Sequence, residues 1–298
     1  MKIFKDVFIM ILFKKLIVSL SLTFLLSFNA VCLAEETSTE NDYSVRIAYY
    51  TMMIEQNPNN GDMYFNRALA YTKMGGIMNA INDYSKAIEL NENDAEAYFN
   101  RGFLYYNINE NEKAVNDLSK AIKIKSDYAQ AYAVRGVINH AMNKNSAAID
   151  DLTKAVEMNP QFYAMRGIIY HECGEKEKAL ADYTKALELN PSEEIYTNRG
   201  ILYNTIGNND NALADYNKAI EINPHYDKAY FNRGVLYKNL NDNTNALNDF
   251  SKVIEINPQA VEAYQNRGMI YQAMGETNKA AADFEKAKQI RKPKNIEQ

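Results

Sequence analysis

The sequence predicts an all-α protein built as a solenoid, a stack of helix pairs, and three observations predict it. A set of residues recurs about every 34 positions through most of the 298-residue chain. Glycine and proline, which interrupt helices, occur only 12 and 6 times. Gly or Asn stands where the first helix of each copy should end, and Asn-Pro stands where the second helix of four copies should end. A period of this length is typical of units that bury their apolar faces only by stacking on one another.

The first 34 residues have the order of a secretory signal segment. Lys2, Lys5, Lys14 and Lys15 form a positive head. Residues 16–30 carry no charge, and Cys32 and Ala34 place small residues three and one before a cut ahead of Glu35. We therefore expect cleavage near Ala34 and export to the periplasm, the cell envelope or the outside. If the segment stays uncleaved, it would instead anchor the chain in a membrane.

Charge and cysteine content narrow the function of the remaining chain. Removing residues 1–34 takes away four Lys and one Asp, so the net charge goes from −5 to −8. An acidic chain does not suit nucleic acid, which binds to clustered Lys and Arg. Only Cys173 is then left, so no intrachain disulfide can form.

Seven arginines mark the copies of the repeat. They are Arg67, Arg101, Arg135, Arg166, Arg199, Arg233 and Arg267, spaced 34, 34, 31, 33, 34 and 34 residues apart. A tyrosine precedes each arginine by three residues, and Ala or Gly follows it directly. Another aromatic comes three residues after that small residue, with Asn139 as the exception. Twelve residues after the first small residue comes an alanine, as in Ala80 and Ala212.

Each copy reads as two helices, for example about 95–108 and 111–124. The residues between the two helices are Gly75, Asn109, Asn143, Gly174, Gly207, Asn241 and Gly275. Both types tolerate the left-handed conformation that often ends a helix. Asn-Pro pairs such as Asn223-Pro224 should close the second helix, because proline disfavours the α conformation of the residue before it. We expect the small Gly and Ala residues to lie where the two helices cross.

The order of these residues over 61–292 resembles the tetratricopeptide repeat, with tyrosine where the family usually has tryptophan. The resemblance implies a right-handed superhelix whose first helices line a concave face. It implies a protein or peptide partner and no cofactor. The expected organisation is a linker at 35–42, a half-repeat helix at 43–58, seven repeats at 59–292 and a polar tail at 293–298. Ala281 and Lys288 replace larger apolar residues in the last copy, as expected of a polar terminal repeat.

Two further charges accompany each arginine. An aspartate lies sixteen residues after it, as in Asp83 and Asp249, and a lysine follows that aspartate by three, as in Lys86 and Lys252. We expect a structural ladder of ion pairs, including Asp–Lys pairs along the second helices. The alternative is a stripe that binds anions.

The sequence holds little that is suited to catalysis or to metal binding. His140, His171 and His225 are the only histidines, and the first two occupy equivalent places in adjacent repeats. With Cys173 they would permit a metal site or a nucleophile, but no short-spaced ligand motif supports either. We expect no catalytic residue, no metal and no enzyme activity. A Cys173-based enzyme remains the third and least favoured hypothesis.

The first helices carry the candidate partner-binding residues. An asparagine precedes the repeated arginine in five copies, at Asn66, Asn100, Asn198, Asn232 and Asn266, whereas Val134 and Met165 interrupt this series. The arrangement resembles the asparagine ladder of the repeats in O-linked N-acetylglucosamine transferase, which implies contact with a partner's peptide backbone. The candidate aromatic contacts are Phe65, Phe99, Phe103 and Phe231. The alternative is that these residues brace or pack their own repeats.

The sequence therefore predicts a non-enzymatic scaffold that holds a partner in its concave groove. A structural or assembly subunit of an envelope, secretion or cell-wall complex, which would use the convex face, is the alternative. Contact with a membrane is expected only through the signal segment, if that segment is retained.

Overall fold

A computed structural model describes residues 40–291, which form fifteen α-helices joined by short turns and contain no strand. The predicted signal segment and C-terminal tail lie outside these described residues. The helices are α1 Glu40–Gln56, α2 Gly61–Lys73, α3 Ile77–Leu90, α4 Ala95–Asn107, α5 Asn111–Ile124, α6 Ala129–Ala141, α7 Asn145–Met158, α8 Tyr163–Glu172, α9 Lys176–Leu189, α10 Glu193–Thr205, α11 Asn209–Ile222, α12 Asp227–Asn239, α13 Asn243–Ile256, α14 Val261–Ala273 and α15 Thr277–Arg291. No helix within the described range is both long and apolar enough to cross a membrane.

The helices alternate in the way that the period predicts. The even-numbered helices α2 to α14 are the first helices of the repeats, and the odd-numbered helices α3 to α15 are the second. The unpaired helix α1 starts at Glu40, inside the segment expected to be a linker. Helix α8 has only 10 residues, and a 3₁₀ turn at Pro160–Phe162 comes before it. The other first helices have 13 residues, so the shortened spacing before Arg166 shortens a helix.

The turn inside each repeat has the predicted left-handed residue. Asn109, Asn143 and Asn241 have φ values of 60–64°, and the four turn glycines have φ values of 76–81°. A residue with a branched β-carbon is strained in this conformation, whereas Gly and Asn adopt it readily. The prediction of the helix boundaries from Gly and Asn is therefore confirmed.

The small residues lie where the two helices of a repeat cross. A β-carbon built on Gly200 would lie 2.8 Å from Cε1 of Tyr216, and one on Gly102 would lie 3.2 Å from the carbonyl oxygen of Ala114. Ala80 and Ala212, on the facing second helices, have no exposed surface. Each helix pair can therefore approach this closely only because these positions have little or no side chain.

Asn223 and Asn257, from two of the Asn-Pro pairs, connect the two helices of their own repeats. At the end of α11 the backbone N–H of Asn223 donates to the carbonyl oxygen of Ala219, and its Oδ1 accepts from the backbone N–H of His225. The Nδ2 of Asn223 also donates to Glu193 on α10, at 2.9 Å. Asn257 repeats the last contact with Asp227, at 3.3 Å. One residue thus ends the second helix and holds it to the start of the first helix in its own repeat.

The described chain divides into two compact units, residues 40–162 and 163–291. The boundary falls at the place where the spacing of the repeated arginines drops to 31. In the first unit, Ala68, Tyr84 and Leu104 are among the residues of a buried cluster. In the second unit, Phe250, Val253 and Ile270 are among the residues of another buried cluster. The core is therefore a row of apolar clusters between stacked helices, as expected of a repeat protein.

Candidate functional site

The repeated arginines hold the two helices of each repeat together. In all seven copies the Nε and Nη2 atoms of the arginine donate to the two carboxylate oxygens of the aspartate sixteen residues later, at 2.6–2.9 Å. These aspartates are buried. A bidentate pair of this kind is strong and directional. The expected ladder of Arg–Asp pairs is thus present, and its guanidinium groups are already occupied by carboxylates rather than open to an external anion.

Arginines of both units also reach the helix that precedes their own repeat. The Nη1 atoms of Arg67, Arg101, Arg135, Arg199, Arg233 and Arg267 donate to Thr51, Ser85, Ser119, Thr184, Asn217 and Ser251 respectively. Each of these side chains lies on the helix that comes directly before the arginine's own repeat. One arginine therefore joins three helices, which fixes neighbouring repeats to one another.

The expected Asp–Lys pairs along the second helices are wrong. Five of the seven lysines pair instead with the glutamate three residues further on, as Lys218 does with Glu221 at 2.7 Å. Lys120 and Lys286 have Lys123 and Gln289 at that place. The same pair forms at Lys86, Lys154, Lys185 and Lys252. The reason is orientation, because the aspartate faces the arginine inside the helix pair while the lysine points to solvent.

Tyrosines flank each arginine along the first helix. The central carbon of Arg199, for example, lies 5.7 Å from the ring centroids of both Tyr196 and Tyr203, within the range of a cation–π contact. The third repeat has Asn139 at the second of these positions, and its Nδ2 donates to Asp151 at 3.1 Å. The exception in the sequence therefore replaces a ring contact by a hydrogen bond to the same ion pair.

The predicted asparagines lie on one face of the first helices, which we call the ladder face. In the 163–291 unit it comprises three residues on each of three helices, at spacing i, i+4 and i+7: Glu194, Asn198 and Ile201 on α10, Lys228, Asn232 and Val235 on α12, and Glu262, Asn266 and Met269 on α14. In the 40–162 unit the corresponding residues are Asp62, Asn66 and Leu69 on α2 and Glu96, Asn100 and Phe103 on α4. Residues at this spacing project from the same side of a helix.

The ladder asparagines are partly used by their own helices. The Nδ2 atoms of Asn66, Asn232 and Asn266 donate to the carbonyl oxygen four residues earlier, at 2.8–2.9 Å. The Oδ1 of Asn266 also accepts from Lys238. The side-chain amide is thereby held in one orientation, which leaves a second N–H of each amide for other contacts.

The interruption of the series has a structural counterpart. Val134 and Met165, which stand in place of asparagine, are 6% and 2% exposed. The five asparagines are all half-buried. In these two repeats the side chain at this position therefore packs in the interior, whereas in the other five it is a half-buried amide.

The four phenylalanines predicted to contact a partner differ in their burial and in the rings that they contact. Phe99 is buried and its ring lies 5.0 Å from that of Tyr128, so it packs inside the fold, and its contact with a partner stays a prediction. Phe65 and Phe231 are half-buried and lie edge-to-face against Tyr84 and Phe250 of their own repeats. Phe103 is half-buried on the ladder face. Three of the four rings therefore pack against other aromatic rings of the fold.

The carboxylates of the ladder face are functional candidates that the sequence interpretation missed. Asp62, Glu96, Glu194 and Glu262 each lie four residues before a ladder asparagine. Searching the copies for a charge at fixed distance from Asn, rather than from Arg, would have found them.

His140, His171 and Cys173 lie in different surroundings. His140 Nδ1 lies 2.9 Å from Asn145 Oδ1, and the His171 ring lies edge-to-face against Tyr183. Burial, together with Glu172 and Glu175, raises the pKa of the Cys173 thiol, which lowers its thiolate fraction and its nucleophilicity. Among residues 40–291, no group of three or more His, Cys, Asp or Glu side chains could hold a metal ion.

Comparison with known families decides what the repeats are. Sequence profiles described as tetratricopeptide repeat match residues 95–128, 129–162, 161–193, 193–226, 227–259 and 261–293, and one described as TPR repeat matches 77–109. This chain belongs to the tetratricopeptide repeat family. As a tetratricopeptide repeat protein, it is a protein-interaction scaffold whose fold suits a protein or peptide partner.

Solved structures share the fold. A tetratricopeptide repeat protein from Parabacteroides merdae matches with a TM-score of 0.63 at 21% identity, over 79% of this chain and 95% of the other. The MamA protein matches with a TM-score of 0.50 at 27% identity, over 54% and 90%. PilF of Pseudomonas aeruginosa matches with a TM-score of 0.58 at 17% identity, over 66% and 91%. No curated protein matches the sequence.

Proposed function

We propose that this tetratricopeptide repeat protein is an exported, non-enzymatic scaffold that holds an extended segment of a partner protein on the ladder face. The observation that carries the proposal is the recurrence of asparagine at one position of successive first helices. At three of these positions a bond to the helix's own backbone also fixes the amide. Amides held at regular intervals suit the regularly spaced N–H and C=O groups of a peptide backbone.

The 163–291 unit provides the longer run of the ladder. Asn198, Asn232 and Asn266 follow one another on α10, α12 and α14, whereas the first unit has only Asn66 and Asn100. Half-buried aliphatic residues adjoin the asparagines, and Met269 is 53% exposed. We therefore assign the stronger partner contact to the second unit.

The decisive experiment replaces all three asparagines of this run by alanine and uses the protein to capture its partner from cell extract. Each lost hydrogen bond should cost about 0.5–1.5 kcal/mol, so capture should weaken roughly tenfold or more. The matched control replaces Asn211, Asn248 and Asn278, which are exposed on the second helices. Unchanged capture by the ladder variant, at wild-type helix content, would place the binding surface on the second helices or elsewhere.

Export and the lack of enzyme activity are separate parts of the proposal. The charged head, the uncharged stretch and the small residues before Glu35 support cleavage. The intact mass of exported protein should correspond to a chain that begins near Glu35, and a mass that retains residues 1–34 would contradict this. A Cys173→Ala protein should retain full partner binding, because the proposal gives its thiol no role.

A further inference from the structure

Charge is distributed unevenly between the first and second helices of the 163–291 unit. The Arg–Asp pairs can be set aside, since each places one charge on each helix and neutralises itself. The first helices α8, α10, α12 and α14 then carry five carboxylates, Glu172, Glu193, Glu194, Asp227 and Glu262, against the two lysines Lys228 and Lys238. The second helices α9, α11, α13 and α15 carry nine Lys and Arg residues against six carboxylates. The first helices are therefore net acidic by three charges and the second helices net basic by three.

Two of these carboxylates lie in line with the ladder. Glu194 lies one turn before Asn198, and Glu262 lies one turn before Asn266, whose Nδ2 donates to the Glu262 backbone at 2.9 Å. The same lines continue to Ile201 and to Met269. On α10 and α14, then, a carboxylate, an amide and an aliphatic side chain follow one another along a single face, whereas on α12 Lys228 takes the place of the carboxylate.

Stabilisation of the helix ends accounts for the positions of Glu193, Glu194, Asp227 and Glu262, which lie in first turns, but not for the difference in lysines between the two sets of helices. Acidic residues in a first turn do favour a helix through its dipole. The second helices also have acidic first turns, at Glu177 and Asp210, yet they are net basic because lysines follow. The first helices lack a comparable set of lysines. The difference between the two sets of helices therefore comes from the lysines, and on the ladder face itself the four carboxylates Asp62, Glu96, Glu194 and Glu262 outnumber the one lysine, Lys228.

From this distribution we propose that the partner segment held by the ladder face is cationic, with Lys or Arg residues interspersed among aliphatic ones. The inference rests on the proposed function and specifies the chemistry of its partner. Lys or Arg side chains pair with Glu194 and Glu262, because opposite potentials across an interface favour association and exclude partners of like charge. Aliphatic side chains contact Ile201, Val235 and Met269, and the peptide backbone contacts the asparagines.

The test uses the full chain and two labelled synthetic peptides that share an alternating Leu pattern, one with Lys at the polar positions and the other with Glu. Fluorescence anisotropy gives both affinities at low and at moderate salt. We expect the Lys peptide to bind at least tenfold more tightly than the Glu peptide. The difference should shrink as salt screens the charges. Equal affinities, or tighter binding of the Glu peptide, would overturn the inference.

A charge variant and a matched control locate the effect. The double variant Glu194→Gln and Glu262→Gln should weaken binding of the Lys peptide about fivefold and leave the Glu peptide no weaker. The control, Glu221→Gln with Glu255→Gln, removes two carboxylates from the second helices, where both are largely exposed. If the control weakens the Lys peptide equally, the attraction is non-specific and the inference fails.

The failures of the two proposals are distinguishable. Partner capture that needs Asn198, Asn232 and Asn266 but does not change with the Glu194 and Glu262 substitutions would leave the scaffold proposal intact and refute the cationic segment. Capture that is insensitive to both sets of substitutions would refute both.

Discussion

Two sets of repeated charges in this protein have the same regularity and different environments. The Arg–Asp pairs join the first and second helices of every repeat, and their aspartates are buried, with the Asp215 side chain 7% exposed. The Lys–Glu pairs run along the outer surface of the second helices, and both side chains of Lys218–Glu221 are more than half exposed. The comparison shows that periodicity identifies which charges belong to the repeat, whereas burial decides how much each one matters.

The physical difference between the two sets is desolvation. A buried ion pair costs free energy to take out of water, and breaking it leaves an uncompensated charge. Burial raises the pKa of Asp249 even though Arg233 donates to its carboxylate, so desolvation outweighs the partner there. An exposed ion pair contributes little to the free energy of unfolding, because water and salt screen the two charges.

The largest effect should come from removing one partner of a buried pair. Asp215→Ala leaves the half-buried Arg199 guanidinium without its carboxylate, and should lower the free energy of unfolding by about 3–5 kcal/mol. Urea denaturation followed by circular dichroism measures this. Asp210→Ala, at an exposed position of the same helix, is the control. Equal midpoints for the two variants would show that the buried pairs are not what holds the helices together.

Filling a helix crossing should have the next largest effect. Gly200→Leu places a side chain where even a β-carbon would lie 2.8 Å from Tyr216, and overpacking of this kind costs about 1–3 kcal/mol. Thermal unfolding should show the loss, together with faster hydrogen exchange in α10 and α11. Thr205→Leu, exposed on the same helix, should leave the melting temperature unchanged. A Gly200→Leu protein that melts like the wild type would mean that the helices do not cross at this residue.

Removing the third hydrogen bond of a repeated arginine should have a smaller effect. Ser119 Oγ accepts from Arg135 at 2.9 Å and ties α5 to the following repeat. Ser119→Ala should therefore lower the free energy of unfolding by about 0.5–1.5 kcal/mol. The exposed Ser146→Ala is a control of the same chemistry. A cost as large as that of Asp215→Ala would show that contact between repeats, rather than contact within them, dominates stability.

The smallest effect belongs to the outer charges. Because Lys218 and Glu221 are exposed, the double variant Lys218→Ala and Glu221→Ala should leave the urea midpoint unchanged within error at moderate salt. A clear loss of stability, suppressed by added salt, would contradict the distinction between buried and exposed pairs.

The sequence alone determined the repeat and its helix boundaries. Gly200 is required where two helices approach closely, and Asn109 suits a turn with a left-handed backbone. Such local requirements can be recognised in the sequence of a single repeat. Seven aligned copies then make the pattern unmistakable. The choice of protein interaction over catalysis followed from the same family resemblance.

Only the tertiary structure decided which partner a side chain contacts and how deeply it is buried. A lysine at three residues from both an aspartate and a glutamate can pair with either, and the packing of Asp against Arg settled it in favour of glutamate. Phe99 and Phe103 lie four residues apart on one helix, yet one is buried and the other half-buried, because burial depends on the neighbouring helix. Periodicity fixes position along a helix, but contact with other helices, which comes from distant parts of the chain, fixes burial and therefore energetic weight.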